Sequence, residues 1–520
     1  MTTSSSSNDP HSRAQAKYRR HNVFSVDGHA MLASYKKGIQ VMLDLPARDP
    51  RNWFRYAFIH FLDCPHGNWW FPVWHRVYLY WFEKIIRELS EDPTFTLPYW
   101  DWSQYSGIPD SMFEGVLTPT HEEYRKYTKD IDTFTAFIQP DMRKYWNSMN
   151  AEQLSDMNNR GYSCFQDMWL DMLGCLNGPC DAGNRAFAET DIARYQRLTK
   201  PDLDDYTKAS ITSAEIENAL APQAFYSTDS TASFSSPETA SHSIQPSRGC
   251  FSSFEIKHNL VHNSIGGVGP LNPGPYANMA NFLSPVDPIF YLHHANIDRL
   301  WDVWARKQTK LQLQTGPTGA NAGARYYDEQ FLFFFNQNAQ PVAPIPIPIW
   351  YHDLEPLDYD YAPGTGENII YTANRINSNN SFLYEGVSNG TTASVNIPSK
   401  FLDTKNGTQK SLVVSVGFDR PDSDRNFDVL VNAPQATTSV TTSSPYYGGS
   451  IAFFGPSMSH MAMSSEAIFT ITLPRTLQIY RNVYPNDLAT LTFKVVPSGY
   501  TGPVPPVQPL TIKTLAVRAV

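Results

Sequence analysis

Cysteine is scarce in this chain, with five in 520 residues, at Cys64, Cys164, Cys175, Cys180 and Cys250. They form neither a paired framework nor a CxxC motif. That excludes a disulfide-stapled scaffold and makes a reducing cytoplasm the simplest expected setting. No apolar run approaches the ~18 residues a membrane helix requires, so no membrane span is expected. An excess of positive charge is missing too: 41 Lys and Arg against 50 Asp and Glu leave a net charge of −9. Nothing in that balance recommends a nucleic-acid partner. Arg19-Arg20 invites a twin-arginine export reading, but polar His21-Asn22 follows and no apolar segment stands behind it.

What the chain does have is apolar and aromatic mass. Hydrophobic residues make up 41% and aromatics 13%, with 12 Trp and 28 Tyr, enough for large cores. The length calls for two domains. Residues 1–10 are Ser/Thr-rich and read as a frayed end. Apolar residues at helical spacing (Met31, Leu32, Tyr35, Ile39, Met42, Leu43) predict a helix over 26–45, stopped by Pro46. A second strong helix is predicted over 74–89, with Leu79, Phe82, Ile86 and Leu89 on one stripe. Residues 227–246 read as a Ser/Thr-rich loop. Helical character returns at 254–263 and at 287–304, where Asp287-Pro288 has the form of an N-cap followed by a first-turn proline. Past about residue 363 the texture changes to short β-branched runs at 394–397, 411–418, 427–431, 467–473, 491–496 and 510–517. Turn residues separate them, as in a sandwich of about seven strands. The expected architecture is a mainly α domain over residues 1–362, built as a four-helix bundle, followed by an all-β sandwich over 363–520.

Fourteen histidines are present, and their spacing matters more than their number. His258 and His262 stand i, i+4 in a helical segment, so both rings can emerge on one face as a bidentate metal clip. Two ordinary surface histidines are the rival reading. A zinc protease would place Glu directly after the first histidine, and Asn259 stands there instead. Adjacent helical residues point about 100° apart, so only one of His293 and His294 can join such a site. Satisfied core histidines remain the bland alternative. Upstream, His60 ends an apolar stretch, His66 sits in a Pro/Gly loop and His75 opens the next helix. Two imidazole triads without a thiolate or carboxylate set suit copper or zinc, and together they point to a binuclear centre on four helices.

Three runs, Phe71-Pro-Val-Trp-His-Arg76, Leu97-Pro-Tyr-Trp-Asp-Trp102 and Asp287-Pro-Ile-Phe-Tyr-Leu-His-His-Ala-Asn-Ile-Asp-Arg299, make the reading specific. They resemble the signatures of the tyrosinase family of type-3 copper polyphenol oxidases, over residues 20–361. The resemblance implies two copper ions that bind O₂, one on His60, His66 and His75, the other on His258, His262 and His294, with His293 a neighbour. Cys64-Pro65-His66 is similar to the Cys-x-His of fungal members and implies a Cys64–His66 thioether; a free buried thiol is the other reading. Glu255 and Asn259 would hold the water that takes a phenol's proton, or Glu255 is an ordinary helix carboxylate. Asn263 would tune substrate choice, and Phe290 would face a phenol stacked over His262, unless it is core. Tyr359-Asp-Tyr361 resembles the motif that closes the catalytic domain, with Arg20 as its partner.

In the second domain, 446–456 has the look of a plug that inserts Phe453 or Phe454 as a substrate mimic; sandwich-core aromatics are the alternative. Met458, His460, Met461 and Met463 group soft ligands suited to copper delivery, or form a flexible Met-rich loop. The expected function is ortho-hydroxylation of monophenols and oxidation of o-diphenols to o-quinones with O₂. Catechol or o-aminophenol oxidation alone, and a haemocyanin-like O₂ carrier, are the alternatives. A carrier is usually a repeated array, whereas no internal repeat occurs here. Expected partners are a phenolic small molecule and O₂; homo-oligomerisation is left open.

Overall fold

A computed structural model describes residues 16–173, 202–244, 249–266, 278–318, 320–343, 352–376, 381–403, 410–421, 426–455, 466–480, 488–498 and 510–520. An N-terminal helical region is followed by a C-terminal region of antiparallel strands. The helix expected over 26–45 is two: a short turn, Val26–Ala30, capped by Ser25, and then α1, Leu32–Asp44. α1 buries Leu32, Tyr35, Ile39, Met42 and Leu43. Gly38 lets it cross the later helix closely, since a Cβ there would meet Cδ1 of Ile86 at 2.8 Å. α2, Trp53–Asp63, starts at Asn52, whose side chain accepts from the amides of Phe54 and Arg55; every residue of it is buried. α3, Phe71–Ser90, begins with Pro72 in its first turn and ends at Glu91 in the left-handed conformation. Its start lies three residues earlier than the apolar stripe alone indicates.

α4, Ser253–Gly266, and α5, Ile289–Lys310, complete the set that carries the histidines. Asp287 does not cap α5 as expected. Pro288 takes the cap position, and Asp287 Oδ1 accepts from Ile289 N two residues on. α4 has no solvent face because it is packed on both sides. Phe254, Val261 and Ile265 join the helical core, while Ile256 and Leu260 join the core of the β-region.

Among the described residues the β-region is a pair of five-stranded sheets, ten strands where about seven were expected. Numbered along the chain, the strands are β1 (Tyr18–Arg20), β2 (Gly249–Phe251), β3 (Tyr359–Tyr361), β4 (Phe382–Glu385), β5 (Val387–Ser388), β6 (Thr392–Pro398), β7 (Leu412–Asp419), β8 (Asn426–Val431), β9 (Tyr447–Ala452), β10 (Glu466–Thr472), β11 (Leu488–Pro497) and β12 (Ile512–Ala519). One sheet runs β2-β10-β7-β12-β4, the other β5-β6-β11-β8-β9. The edge strands β4 and β5 are short and largely exposed, so they lack the buried alternation that marks the others. β2 comes from just ahead of α4 and pairs in parallel with β10, which ties the two regions together. β1 and β3 form a separate parallel pair, Arg20 opposite Tyr361. Among the described residues no helix is long and apolar enough to cross a membrane.

Candidate metal centre

His60 lies in the last turn of α2, His66 in the loop that follows, and His75 on the second turn of α3. His258 and His262 come one turn apart on α4, and His294 comes from α5. All six are buried. Nε2 of His60 and His75 stand 3.4 Å apart; Nε2 of His294 is 3.2 Å from that of His258 and 3.0 Å from that of His262. The two triads meet where the rings of His75 and His294 stack, centroids 4.5 Å apart.

Which nitrogen carries the proton follows from the partners. Nδ1 of His60 donates to the carbonyl of Phe282 at 2.7 Å, Nδ1 of His75 to Phe71 at 2.8 Å, and Nδ1 of His262 to Met279 at 2.7 Å. Nδ1 of His258 donates to Oδ1 of Asn259 at 2.8 Å. A carbonyl cannot donate, so these rings keep bare Nε2 lone pairs turned inward. Burial above all holds all six rings well below the usual imidazole range, His75 and His262 at about 3. Bare lone pairs facing one another at this range repel unless a cation lies between them. Two nitrogens about 2 Å from one tetrahedral ion stand about 3.3 Å apart, so the spacing fits one ion per triad. Nε2 of His66, buried with no hydrogen-bond partner, is a further open donor. Neutral nitrogen donors without carboxylates suit copper.

His293 turns its Nδ1 to accept from Nε1 of Trp102 at 3.1 Å, and its ring packs beside those of His258 and His262. Cys64 is a buried free cysteine whose Sγ lies 3.5 Å from Nδ1 of His66. Glu255 reaches that loop: Oε1 accepts from Gly67 N at 2.6 Å and Oε2 from Ser236 Oγ at 2.5 Å, while burial pushes the carboxyl up to about 8. Asn259 and Asn263 face the β-region. Asn259 Nδ2 donates to Ala452 O at 2.9 Å, and Asn263 Nδ2 donates to Phe453 O at 2.8 Å and Asn426 Oδ1 at 2.7 Å.

The segment held by these amides leaves β9 and sends its two phenylalanines opposite ways. Phe453 enters the sandwich core beside Phe251, Phe418, Phe427 and Phe469. Phe454 enters the histidine site, 4.5 Å from the ring of His262 and 4.7 Å from that of His66. Phe290 packs on the opposite part of the site, 4.1 Å from the ring of His294. Arg20 meets Tyr361 as expected, Nη1 donating to its hydroxyl at 2.7 Å, and also pairs with Glu83 and Asp298. Met458, His460, Met461 and Met463 lie outside the described residues.

Several residues at the site had no signal in the sequence. The carbonyls of Phe282 and Met279 belong to any residue type, and Ser236 and Asn426 are brought in from distant segments.

The model of the common central domain of tyrosinase matches residues 47–307. Polyphenol oxidase II of Ipomoea batatas is 26% identical over 329 residues, 60% of this chain and 44% of that protein. Aureusidin synthase of Antirrhinum majus is 27% identical over 323 residues, 58% of this chain and 45% of that protein. The chain thus spans less than half the length of these curated relatives. A latent aurone synthase structure covers 97% of this chain and 89% of its own at TM-score 0.54 and 18% identity. A latent apple tyrosinase covers 98% of both at TM-score 0.52 and 21% identity, so the two-region fold is shared. With that central domain spanning half the sequence and containing all six converging histidines, the chain belongs to the tyrosinase family.

Proposed function

We propose that this chain is a copper oxidase that takes O₂ and a phenol, ortho-hydroxylating monophenols and oxidising o-diphenols to o-quinones. The observation that carries the reading is the convergence of six neutral imidazoles, four with their tautomers fixed, as two abutting triads. A copper pair bound there supplies the redox centre at which O₂ is reduced and the phenol oxidised. The chain supplies the rest. The ring of His262, 4.5 Å from Phe454, gives an aromatic face for a substrate in the place Phe454 now takes, and Phe290 stands edge-on to that ring at 5.8 Å. A monophenol must also lose a proton, and its hydroxyl ordinarily holds that proton to about pH 10. Glu255, with its proton affinity raised by burial, and the amide of Asn259 are the groups we assign to that transfer through a water. A Cys64–His66 thioether, formed by loss of one hydrogen from each side chain to an oxidant such as O₂, would fix the loop-borne ligand.

The closed arrangement is a resting state in this reading. Phe454 fills the substrate position while the β-region takes the amides of Asn259 and Asn263. "Latent" describes the two solved relatives above, and the seal that Phe454 makes here favours latency for this chain too. A sealed site also suits an O₂ carrier, the second reading. One experiment separates them: copper per chain by elemental analysis, with tyrosine and dopa turnover before and after limited proteolysis, and for Phe454→Ala. Two coppers per chain and turnover of both phenols that rises on proteolysis or in the variant is the expected result. Dopa turnover alone reduces the reading to catechol oxidase; neither turnover, with reversible O₂ uptake, makes it a carrier.

A further inference from the structure

His242 is buried with a carboxylate on each ring nitrogen: Nδ1 is 2.6 Å from Oε1 of Glu329 and Nε2 is 2.8 Å from Oδ1 of Asp63. A neutral imidazole has one N–H and could satisfy only one of them, so this ring is an imidazolium. The two carboxylates accordingly raise its proton affinity against burial, to about 10. Asp156 also lies within reach, and the three side chains have the composition of a metal site. Both ring nitrogens are spent on hydrogen bonds at hydrogen-bond lengths, which leaves no lone pair for an ion.

The charge is passed on instead. Oδ2 of Asp63 accepts from Nε1 of Trp74 at 2.7 Å. Trp74 directly precedes His75, and its ring sits edge-on to both His60, at 5.8 Å, and His75, at 5.0 Å. Asp63 itself lies between His60 and His66 in sequence, and Arg160 donates to the carbonyls of Asp63, at 2.5 Å, and Cys64, at 3.1 Å. We propose that His242 is a positioning residue for the first triad: its fixed positive charge orients Asp63, Asp63 holds the Trp74 indole, and the indole sets the rings of His60 and His75. The proposal rests on the reading of those histidines as copper ligands. Partners one step behind a ligand commonly change metal affinity by about 10- to 100-fold when removed.

The test uses the full chain carrying His262→Ala and His294→Ala, which leaves only the first triad complete, and measures Cu(I) affinity anaerobically against a competing chelator. Trp74→Phe keeps an aromatic ring, though a smaller one, and every charge but deletes the N–H. His242→Gln deletes the charge. Asp63→Asn with His242→Gln gives a neutral pair in which the new amide oxygen can still accept from Trp74. Expected are affinities about 10-fold or more below the parent for each single variant, recovering in the double variant, with no such change in a background where only the second triad is complete. Unchanged affinity in Trp74→Phe, or an equal loss at both triads, overturns the proposal, and Trp74→Phe decides it even where His242→Gln fails to fold. No Cu(I) uptake by either background would instead remove the copper reading on which it stands.

Discussion

Gly455 follows Phe454 with φ +73°, and a Cβ at that position would stand 2.6 Å from Cζ of Phe282. A left-handed alanine costs about 1–2 kcal/mol before the clash is counted. The Phe282 backbone is held by its carbonyl's bond to His60, so relief would have to come from its ring. One residue therefore closes the plug, and its backbone freedom is what lets Phe454 enter and the chain leave. Gly455→Ala is expected to push Phe454 out of the site. Resting dopa turnover above that of the parent, with a lower Tm, would report it; an unchanged resting rate would show that the turn is not what holds the plug.

At the scale of elements, two of the four histidine-bearing helices are braced from behind by one buried carboxylate. Asp298 lies one turn after His294 on α5. It accepts from Nε of Arg76 at 2.5 Å and from the hydroxyls of Tyr359 and Tyr361 at 2.6 Å each, and pairs with Arg20 at 3.3 Å. α3, α5 and the β1–β3 pair thus share one hub, with the Arg20 guanidinium 3.8 Å over the ring of Tyr359. Both arginines are fully buried, so Asp298→Ala takes a shared counter-charge from each, with Glu83 left to Arg20. The expected loss is about 3–5 kcal/mol in denaturant unfolding. Because the hub joins the helices of His75 and His294, copper content should fall with it; a variant that keeps both coppers would show that the triads are held without the hub.

For the whole molecule, the interface between the two regions contains a titrating group. Asp428, on β8, is buried beside β9; its Oδ1 accepts from Ser450 Oγ at 2.7 Å, and Asp204 on the helical side adds like charge. Burial first pushes its carboxyl up to about 7 from the ordinary 3.8. The folded chain therefore holds this proton more tightly than the unfolded chain does. Below about pH 4 both states are protonated and nothing is lost; as pH rises through that window stability falls, and the full penalty is reached above about pH 7. Asp428→Asn should flatten this component, so its Tm advantage over the parent grows between about pH 5 and pH 8. A constant difference across that range would rule out Asp428 as the group responsible.

Much of this was legible residue by residue. The i, i+4 pair His258 and His262 had to share a helix face, and β-branched alternation had to make strands, because both periodicities are local properties of the backbone. The ligand set followed from motif resemblance, since the loop that brings His66 to the other rings has no local code. Between Phe453 and Phe454 the sequence left the plug open; extended chain alternates its side chains, and only the register of β9 against β8 decided which one entered the sandwich and which the site. The tautomer of His60, the amides of Asn259 and Asn263 turned to the β-region, and the charged His242 between Asp63 and Glu329 were decided by tertiary structure alone. Each depends on partners dozens to hundreds of residues away, and a hydrogen bond exists only once the fold has brought its donor and acceptor within reach.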